Sequence, residues 1–333
     1  MKYKVSVVVP AFNVERFIGN TLRSVFEQTL EGVELIIVYD ENSTDNTIDE
    51  ILRVSNHYKN MFEGKIKIIK VKGKGVSYSR NVGLRIAGGE YIFFLDGDDY
   101  INKHCLEKLY TAARKYGADI TFCGFDMVDE NGKKLKRYSD RFEYLDCPIG
   151  GIKALKLFLN EKIWLWTGSV LYHLKFLKNS NIMYNPRFSY GEDQLFNIIC
   201  LYNAKVVYSV RESLSYYVQR KNASSKKITL RKVDYPLAMF EAYRYLRLHY
   251  VDKEILDYME YHKIPLSIIH TLILFKLNGL YDEFKEKYDE AFFLKQLGKL
   301  KFRRRVIREY FAAKLFLLGL DSFFTIYRRL KHA

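Results

Sequence analysis

The run Tyr91-Ile92-Phe93-Phe94-Leu95-Asp96-Gly97-Asp98-Asp99 constrains the chain more than any other stretch, because a short strand of large apolar residues delivers three carboxylates together at its end. Apolar side chains on successive positions leave no polar face, so the strand belongs inside a sheet covered on both sides. Like charges packed at its exit raise one another's proton affinity unless a cation stands among them. Hard oxygen ligands suit Mg²⁺ or Mn²⁺, and such an ion in a loop at a sheet edge commonly faces the phosphates of a nucleotide. Asp-Gly-Asp-Asp is also ordinary turn chemistry, and these residues alone leave both readings open.

The first hundred residues alternate strand and helix patterns as a parallel sheet requires. Val5 to Val9 is a nearly continuous β-branched run ended by Pro10, and Phe17 to Gln28 carries Phe17, Ile18, Leu22, Val25 and Phe26 at helical spacing. Leu35 to Val38 reads as a second buried strand with Asp40 and Glu41 at its exit. Ser43-Thr44-Asp45 then offers N-cap side chains for a helix through Ile48, Ile51, Leu52 and Val54, followed by a strand at Ile66 to Val71. Ligands of open α/β sheets sit outside the carboxyl ends of strands, so carboxylates ending two strands point at one crevice. Lys72-Gly73-Lys74-Gly75-Val76-Ser77 lacks the residue order of a phosphate loop and the third glycine of a dinucleotide fingerprint. Its glycines let the backbone approach a ligand while Lys72 or Lys74 reaches phosphate charge, or it is a solvated basic turn.

Four ordered strings resemble the family-two glycosyltransferases of the GT-A fold: Val5 to Asn13, Val38 to Thr47, Ser79 to Gly83 with Ala87 to Tyr91, and Phe94 to Asp99. Gly191-Glu192-Asp193-Gln194-Leu195-Phe196 resembles that family's Glu-Asp motif, and Tyr216 to Ser224 its phosphate-side segment, so the resemblance covers residues 5 to about 225. It implies an α/β fold with a Rossmann-like, mostly parallel sheet flanked by helices, and an inverting transfer from a nucleotide-sugar donor to a glycan or lipid-linked acceptor. Around the nucleotide it implies Pro10, Phe12, Asn13, Asp40, Arg80, Asp96, Arg220 and Ser224, with Asp96 on the ribose or a metal-bound water. Asp98 would hold Mn²⁺ or Mg²⁺, and Asp193 would be the catalytic base. Where many members have paired aspartates followed by glycine, this chain has Asp40, Glu41 and Asn42. The carboxylate that faces the base, commonly uracil, is kept, and a UDP-sugar is the expected donor.

The expected division is a catalytic domain over residues 1–230 and a helical region over 231–333 with a basic amphipathic tail. Tyr235-Pro236 stands near a helix start, and Pro265 is expected to divide two segments. Trp164 and Trp166 either stack an acceptor sugar or bury area, with one ring expected to line the cleft. Residues 299–333 hold ten Lys or Arg against Glu309 and Asp321, or +8 of the chain's formal +15. Phe311 to Tyr327 is too short and interrupted to span a bilayer, which takes about 20 apolar residues. An amphipathic helix in contact with an anionic membrane fits it, as does a helix packed on the protein.

Cys105, Cys123, Cys147 and Cys200 have no metal or disulfide spacing and read as small apolar residues. His270 reads as a core histidine. The start of the chain has no secretory apolar region, so a cytoplasmic enzyme, peripheral on the inner face of the membrane, is expected. The rival classes are a nucleotidyltransferase, which leaves Glu192-Asp193 unexplained, and a non-catalytic basic protein binding membrane or nucleic acid. Nucleic acid is not expected as a partner, because the basic residues cluster with bulky aliphatics rather than along a reading motif.

Overall fold

The computed structural model describes residues 3–60, 62, 65–220 and 226–320. The chain forms two compact units, with divisions at 186/187, 195/196 and 221/222.

The first unit begins β1 (Tyr3–Ala11), α1 (Glu15–Phe26), β2 (Val33–Asp40), α2 (Thr47–Tyr58), β3 (Lys65–Val71), α3 (Val76–Ile86) and β4 (Gly89–Phe94). It continues through β5 (Tyr100–Ile101), α4 (Cys105–Tyr116), β6 (Ile120–Val128), β7 (Lys134–Lys136), α5 (Gly151–Leu159), β8 (Val170–His173) and α6 (Leu174–Asn179), and ends on β9 (Val207–Val218). Its sheet runs β3-β2-β1-β4-β8-β6-β9-β5, with β7 paired to β6. The sheet is parallel through its first four strands and mixed beyond them, because β8 lies antiparallel to both β4 and β6. Reversing direction twice leaves β6, and β9 parallel to it, pointing the same way as β1, β2 and β4. All five therefore end at one edge.

Local chemistry fixes these elements. Every residue of β2 is buried, as a central parallel strand demands. Pro10 does not end β1, which continues to Ala11. Leu95 N–H donates to the Val8 carbonyl at 3.0 Å, and Pro10, two residues on, turns its N–H-less nitrogen to the same side, where β4 has already ended. Gly83 lets α3 lie directly on β1, since a Cβ there would stand 2.3 Å from Val8 Cγ1. At the opposite edge Glu34 is fully buried and accepts from Ser6 Oγ, Gly88 N–H and Lys67 Nζ, each at 2.6 Å. Burial raises its carboxyl's proton affinity, but the Lys67, Ser6 and Gly88 hydrogen bonds outweigh it and hold the group below the usual range.

The second unit is helical. It gathers residues 187–195, including the first turn of α7 (Glu192–Asn203), with the chain beyond 221. Its further helices are α8 (Asp234–Leu248), α9 (Lys253–Tyr258), α10 (Ile264–Leu277), α11 (Tyr281–Lys287), α12 (Glu290–Gly298) and α13 (Ile307–Leu317). Pro265 does not separate α9 from α10. The helical path continues through a π-turn at Met259–Lys263, and the Tyr261 carbonyl, which Pro265 cannot reach with an N–H, accepts instead from Lys301 N–H at 3.1 Å. His270 is half exposed and stands 3.7 Å from Glu309 rather than in the core. Ala312, Ala313 and Phe316 bury one face of α13, with the Phe316 ring against Tyr281 at 5.5 Å. The expected helix over 311–327 is thus described only to Leu317 and packs on its own unit. The rest of that stretch, from Asp321 on, lies outside the described residues.

Candidate active site

The carboxyl edge of the first unit is built from loops after β1, β2, β3 and β4 that hold one another. Asn13, in the left-handed region at φ 50°, accepts from Thr44 N–H at 2.8 Å through Oδ1, while its own N–H donates to Ser43 Oγ at 3.3 Å. Val14 N–H donates to Thr47 Oγ1 and Glu15 N–H to Asp45 Oδ2. Of the expected caps Ser43-Thr44-Asp45 only Asp45 reaches α2, accepting from Thr47 N–H at 3.2 Å, while the N-cap position itself is Asn46 and Ser43 and Thr44 serve the neighbouring loop. Asp40 Oδ1 accepts from Asn42 N–H at 3.0 Å and Gly73 N–H at 2.9 Å. Gly73, at φ 42°, holds a left-handed conformation that would strain a side-chain-bearing residue, and Asn42 Nδ2 stands 2.1 Å from where a Cβ would lie. The glycine-rich turn therefore closes on the Asp40 loop, with Lys72 and Lys74 exposed at its surface. Phe12 is half exposed beside it, and Pro10 is buried.

Two carboxylate–guanidinium pairs stand where β4 ends. Arg80, buried on α3, donates from Nη2 to Asp96 Oδ1 at 2.6 Å, with its guanidinium 4.9 Å from the Tyr184 ring. The next residue, Asn81, fixes Tyr184 through both its N–H and its carbonyl. Arg220 donates from Nη2 to Asp98 Oδ2 at 2.6 Å and lies 5.3 Å from the centre of the Phe17 ring. Burial pushes the Asp98 carboxyl up to about 6, against the pull of Arg220 and with a further push from Asp96.

Asp99 has a different task. It is buried, and it accepts from Val218 N–H at 2.9 Å and Trp166 Nε1–H at 3.2 Å. Burial, then the charges of Asp98 and Asp96, hold its carboxyl well above the usual range. It ties the β4 loop to the end of β9. Trp166 in turn packs 4.1 Å from Tyr217, and Trp164 stacks on Phe158 at 5.0 Å. Trp166 thus supports the site through Asp99, and Trp164 joins an aromatic cluster. Neither role of Asp99 nor that of Tyr184 follows from spacing: Asp99 sits inside the acidic motif without being told apart from Asp98, and Tyr184 has no local signal.

Of the residues named from the sequence, Pro10, Phe12, Asn13, Asp40, Arg80, Asp96, Asp98 and Arg220 all belong to the first unit. Asp193 belongs to the second, in the first turn of α7, where its Oδ1 accepts from Gln194 N–H at 2.8 Å. Around it Gly191, at φ 78°, lies against Tyr235, and Ser189 N–H donates to Asp234 at 2.8 Å. Ser224 lies outside the described residues.

Among the described residues no three His, Cys, Asp or Glu side chains converge as a complete metal cage. Asp96 and Asp98 supply hard oxygens, and burial, with the charge of Asp96 beside it, keeps the proton affinity of Asp98 raised even against Arg220. That donor chemistry fits Mg²⁺ or Mn²⁺, which take one or two protein carboxylates and complete their shell with phosphate and water.

The model of the family described as "Glycosyl transferase family 2" matches residues 6–175. The uncharacterized glycosyltransferase EpsJ of Bacillus subtilis is 30% identical over 246 residues, 71% of this chain and 65% of its own length. The poly(ribitol-phosphate) beta-N-acetylglucosaminyltransferase TarP of Staphylococcus aureus is 29% identical over 65% of this chain and 62% of its own. The chain thus spans less than two thirds of both relatives. In fold it is similar to the crystal structure of S. aureus TarS 1-349 in complex with UDP-GlcNAc, with a TM-score of 0.66 at 20% identity, covering 98% of this chain and 92% of that one. The sheet and its flanking helices have the GT-A architecture.

Proposed function

The chain belongs to glycosyl transferase family 2, and from that premise we propose an inverting transfer of a sugar from a UDP-sugar to a hydroxyl of a cell-surface glycan. The observation that carries the proposal is the acidic end of β4, where Arg80 orients Asp96 and Arg220 meets a partly buried Asp98. TarP is named for a sugar transfer onto poly(ribitol-phosphate), and TarS has been crystallised with UDP-GlcNAc. Both support this choice of donor and of acceptor class.

In this reading Asp40 faces the base and Asp96, held by Arg80, the ribose. Asp98 would hold Mg²⁺ or Mn²⁺, which when bound would supply positive charge against that growing on the diphosphate. Arg220 adds a second cation on that side. Asp193 takes the proton of the acceptor hydroxyl, whose oxygen bonds to the anomeric carbon from the face opposite the diphosphate. The bond to the diphosphate breaks with its electron pair, and the configuration inverts.

Peripheral contact with an anionic membrane belongs to the same proposal. It is supported by the exposed basic stretch Lys301 to Arg308 and the exposed rings of Phe302 and Phe311. No helix among the described residues is long and apolar enough to cross a bilayer. A panel of radiolabelled nucleotide sugars, assayed with and without Mn²⁺, tests the reaction. Turnover of a UDP-sugar that stops when the metal is chelated is the expected result. Failure to bind or cleave any sugar nucleotide overturns it.

A further inference from the structure

The π-turn at Met259–Lys263, in the second unit, carries an imidazole that the packing leaves without a use. His262 is only 8% exposed, and among the described residues its Nδ1 is buried without a hydrogen-bond partner. A polar atom in that position costs stability, because nothing replaces the water it has lost. Pro265 accounts for the freed Tyr261 carbonyl but not for a histidine beside it. Turns of this kind inside helices are frequent at functional sites.

Two cations close over the turn from residues 299–303. Lys301 N–H holds the Tyr261 carbonyl at 3.1 Å, and Lys301 Nζ stands 3.6 Å from the centre of the Tyr261 ring. The Arg303 guanidinium lies 5.0 Å from the Tyr258 ring, which is itself 5.6 Å from the His262 ring. Among the described residues both cations thus rest on rings rather than on carboxylates. The acids closest to His262 in sequence are engaged elsewhere. Glu260 accepts from Lys299 Nζ at 2.7 Å and Tyr243 Oη at 3.1 Å, and Asp257 from Lys253 Nζ at 2.5 Å. Burial, then the charges of Arg303 and Lys301, push His262 down to about 4, so its ring is neutral at neutral pH. Positive charge is therefore gathered where a polar ring lacks a partner.

We infer that His262, Lys301 and Arg303 form an anion site for a phosphate monoester, apart from the nucleotide-sugar site proposed in the first unit. A terminal phosphate carries close to two negative charges and three acceptor oxygens. The guanidinium fork, the ammonium and an imidazole N–H can each donate to one of them. A phosphodiester has a single charge and fewer free oxygens, and a carboxylate likewise fits less well. A soluble ester such as glycerol 3-phosphate and the headgroup of phosphatidic acid share this chemistry.

Histidine ring NMR on the full chain tests the soluble source. Glycerol 3-phosphate should move the His262 signal, identified by its loss in His262→Gln, and raise that ring's proton affinity, because a bound dianion offsets the two cations. Lys301→Gln and Arg303→Gln, both at exposed positions, should each weaken the ester at least about tenfold, the scale of one charge-assisted hydrogen bond. Lys301→Gln leaves the backbone bond to Tyr261 in place. Flotation tests the lipid source, with vesicles of phosphatidic acid and of phosphatidylglycerol matched in surface charge. A lipid-borne monoester should favour the first by a similar factor, and the variants should lose that preference. A response to either source that at least one variant weakens supports the site; the soluble ester alone marks a free phosphate, and phosphatidic acid alone a lipid headgroup. No response to either source, or responses that neither variant weakens, overturns it. Equal flotation on both lipids with an unmoved His262 signal removes this site and leaves the general membrane contact proposed above standing. A response to the soluble ester without flotation does the reverse.

Discussion

The two units put their charged side chains to opposite uses. At the carboxyl edge of the first, Asp40, Arg80 and Asp99 are buried and held by partners far along the chain, as with Asp99 and Val218, 119 residues apart. In the second, many ion pairs are local and exposed, such as Lys253–Asp257 and Lys287–Glu283 at four-residue spacing. Exposed helix pairs of that kind add little to stability and are screened by salt. Charges gathered and dehydrated at a strand end cost stability, and the proposed cation and diphosphate would repay that cost on binding. Asp and Arg content says little here, and burial of the pair separates site from surface: Arg80–Asp96 is sheltered though only 16 residues apart, whereas Lys108–Glu212, 104 residues apart, is exposed.

The sharpest way to break that contrast is Asp98→Asn. We expect loss of turnover by roughly 10⁴-fold together with loss of metal-dependent UDP binding, since metal stabilisation of a transition state amounts to several kcal/mol. In the parent, a proton competes with the ion for a carboxyl pushed up to about 6. Metal-dependent UDP affinity should therefore fall about tenfold per pH unit below that value and level off above it. Calorimetry of UDP with Mn²⁺ between acid and neutral pH reads both effects. An unchanged affinity in the variant sinks the assignment of Asp98.

Asp193→Asn probes the second unit's one proposed contribution to chemistry. Donor binding should be kept while transfer drops by roughly 10² to 10⁴, the scale of a positioned general base. Transfer at the parent rate would make the Glu192-Asp193 match accidental.

The surface of the second unit carries the next effect. Deleting residues from 299 onward is no clean test, because it removes Ala312, Ala313 and Phe316 from the packing of α13 and the N–H that satisfies Tyr261. Replacing Arg304, Arg305 and Arg308 by Gln leaves that packing in place. At about 1 kcal/mol per basic residue near an anionic bilayer, the triple variant should float with anionic vesicles about a hundredfold less well, with donor hydrolysis unaffected. The parent's binding should weaken with salt. A parent that ignores anionic vesicles at low salt returns the patch to plain solvated surface.

Much of this was legible in the sequence, and the limits have physical causes. The β-branched runs of β1 and β2 and the acidic end of β4 are local, and local patterns are what a sequence displays. Pro10 was misleading because its effect depends on which side of β1 still has a partner. Pro265 was misleading because a π-turn and a distant N–H at Lys301 absorb the lost hydrogen bond. Glu34 sits inside an apolar run and gives no sign of Lys67, 33 residues away. His270 lies in a helix apolar nearly all round, so no polar face marks it, yet it is half exposed and meets Glu309 of α13. Nothing in the spacing of Asp98 and Asp99 distinguishes an ion ligand from a strut.

That last distinction gives the smallest and most discriminating expectation. Asp99→Asn keeps the shape but leaves one carbonyl oxygen for the two donors Val218 N–H and Trp166 Nε1–H. The lost hydrogen bond costs about 1 kcal/mol, which at this chain length lowers Tm by about 2 °C. Because the folded carboxyl is held above its ordinary value of 3.8, the parent binds that proton more readily folded than unfolded. Ionising it then removes stability as pH rises from there. Asparagine does not titrate, so the variant's deficit should be largest near the acid end and shrink toward neutral pH, with UDP affinity close to the parent's. Thermal melts of parent and variant at acid and neutral pH decide it. A deficit that widens as pH rises would mean Asp99 acts as a charge, as Asp98 does, and the division of labour between the two neighbours would fall.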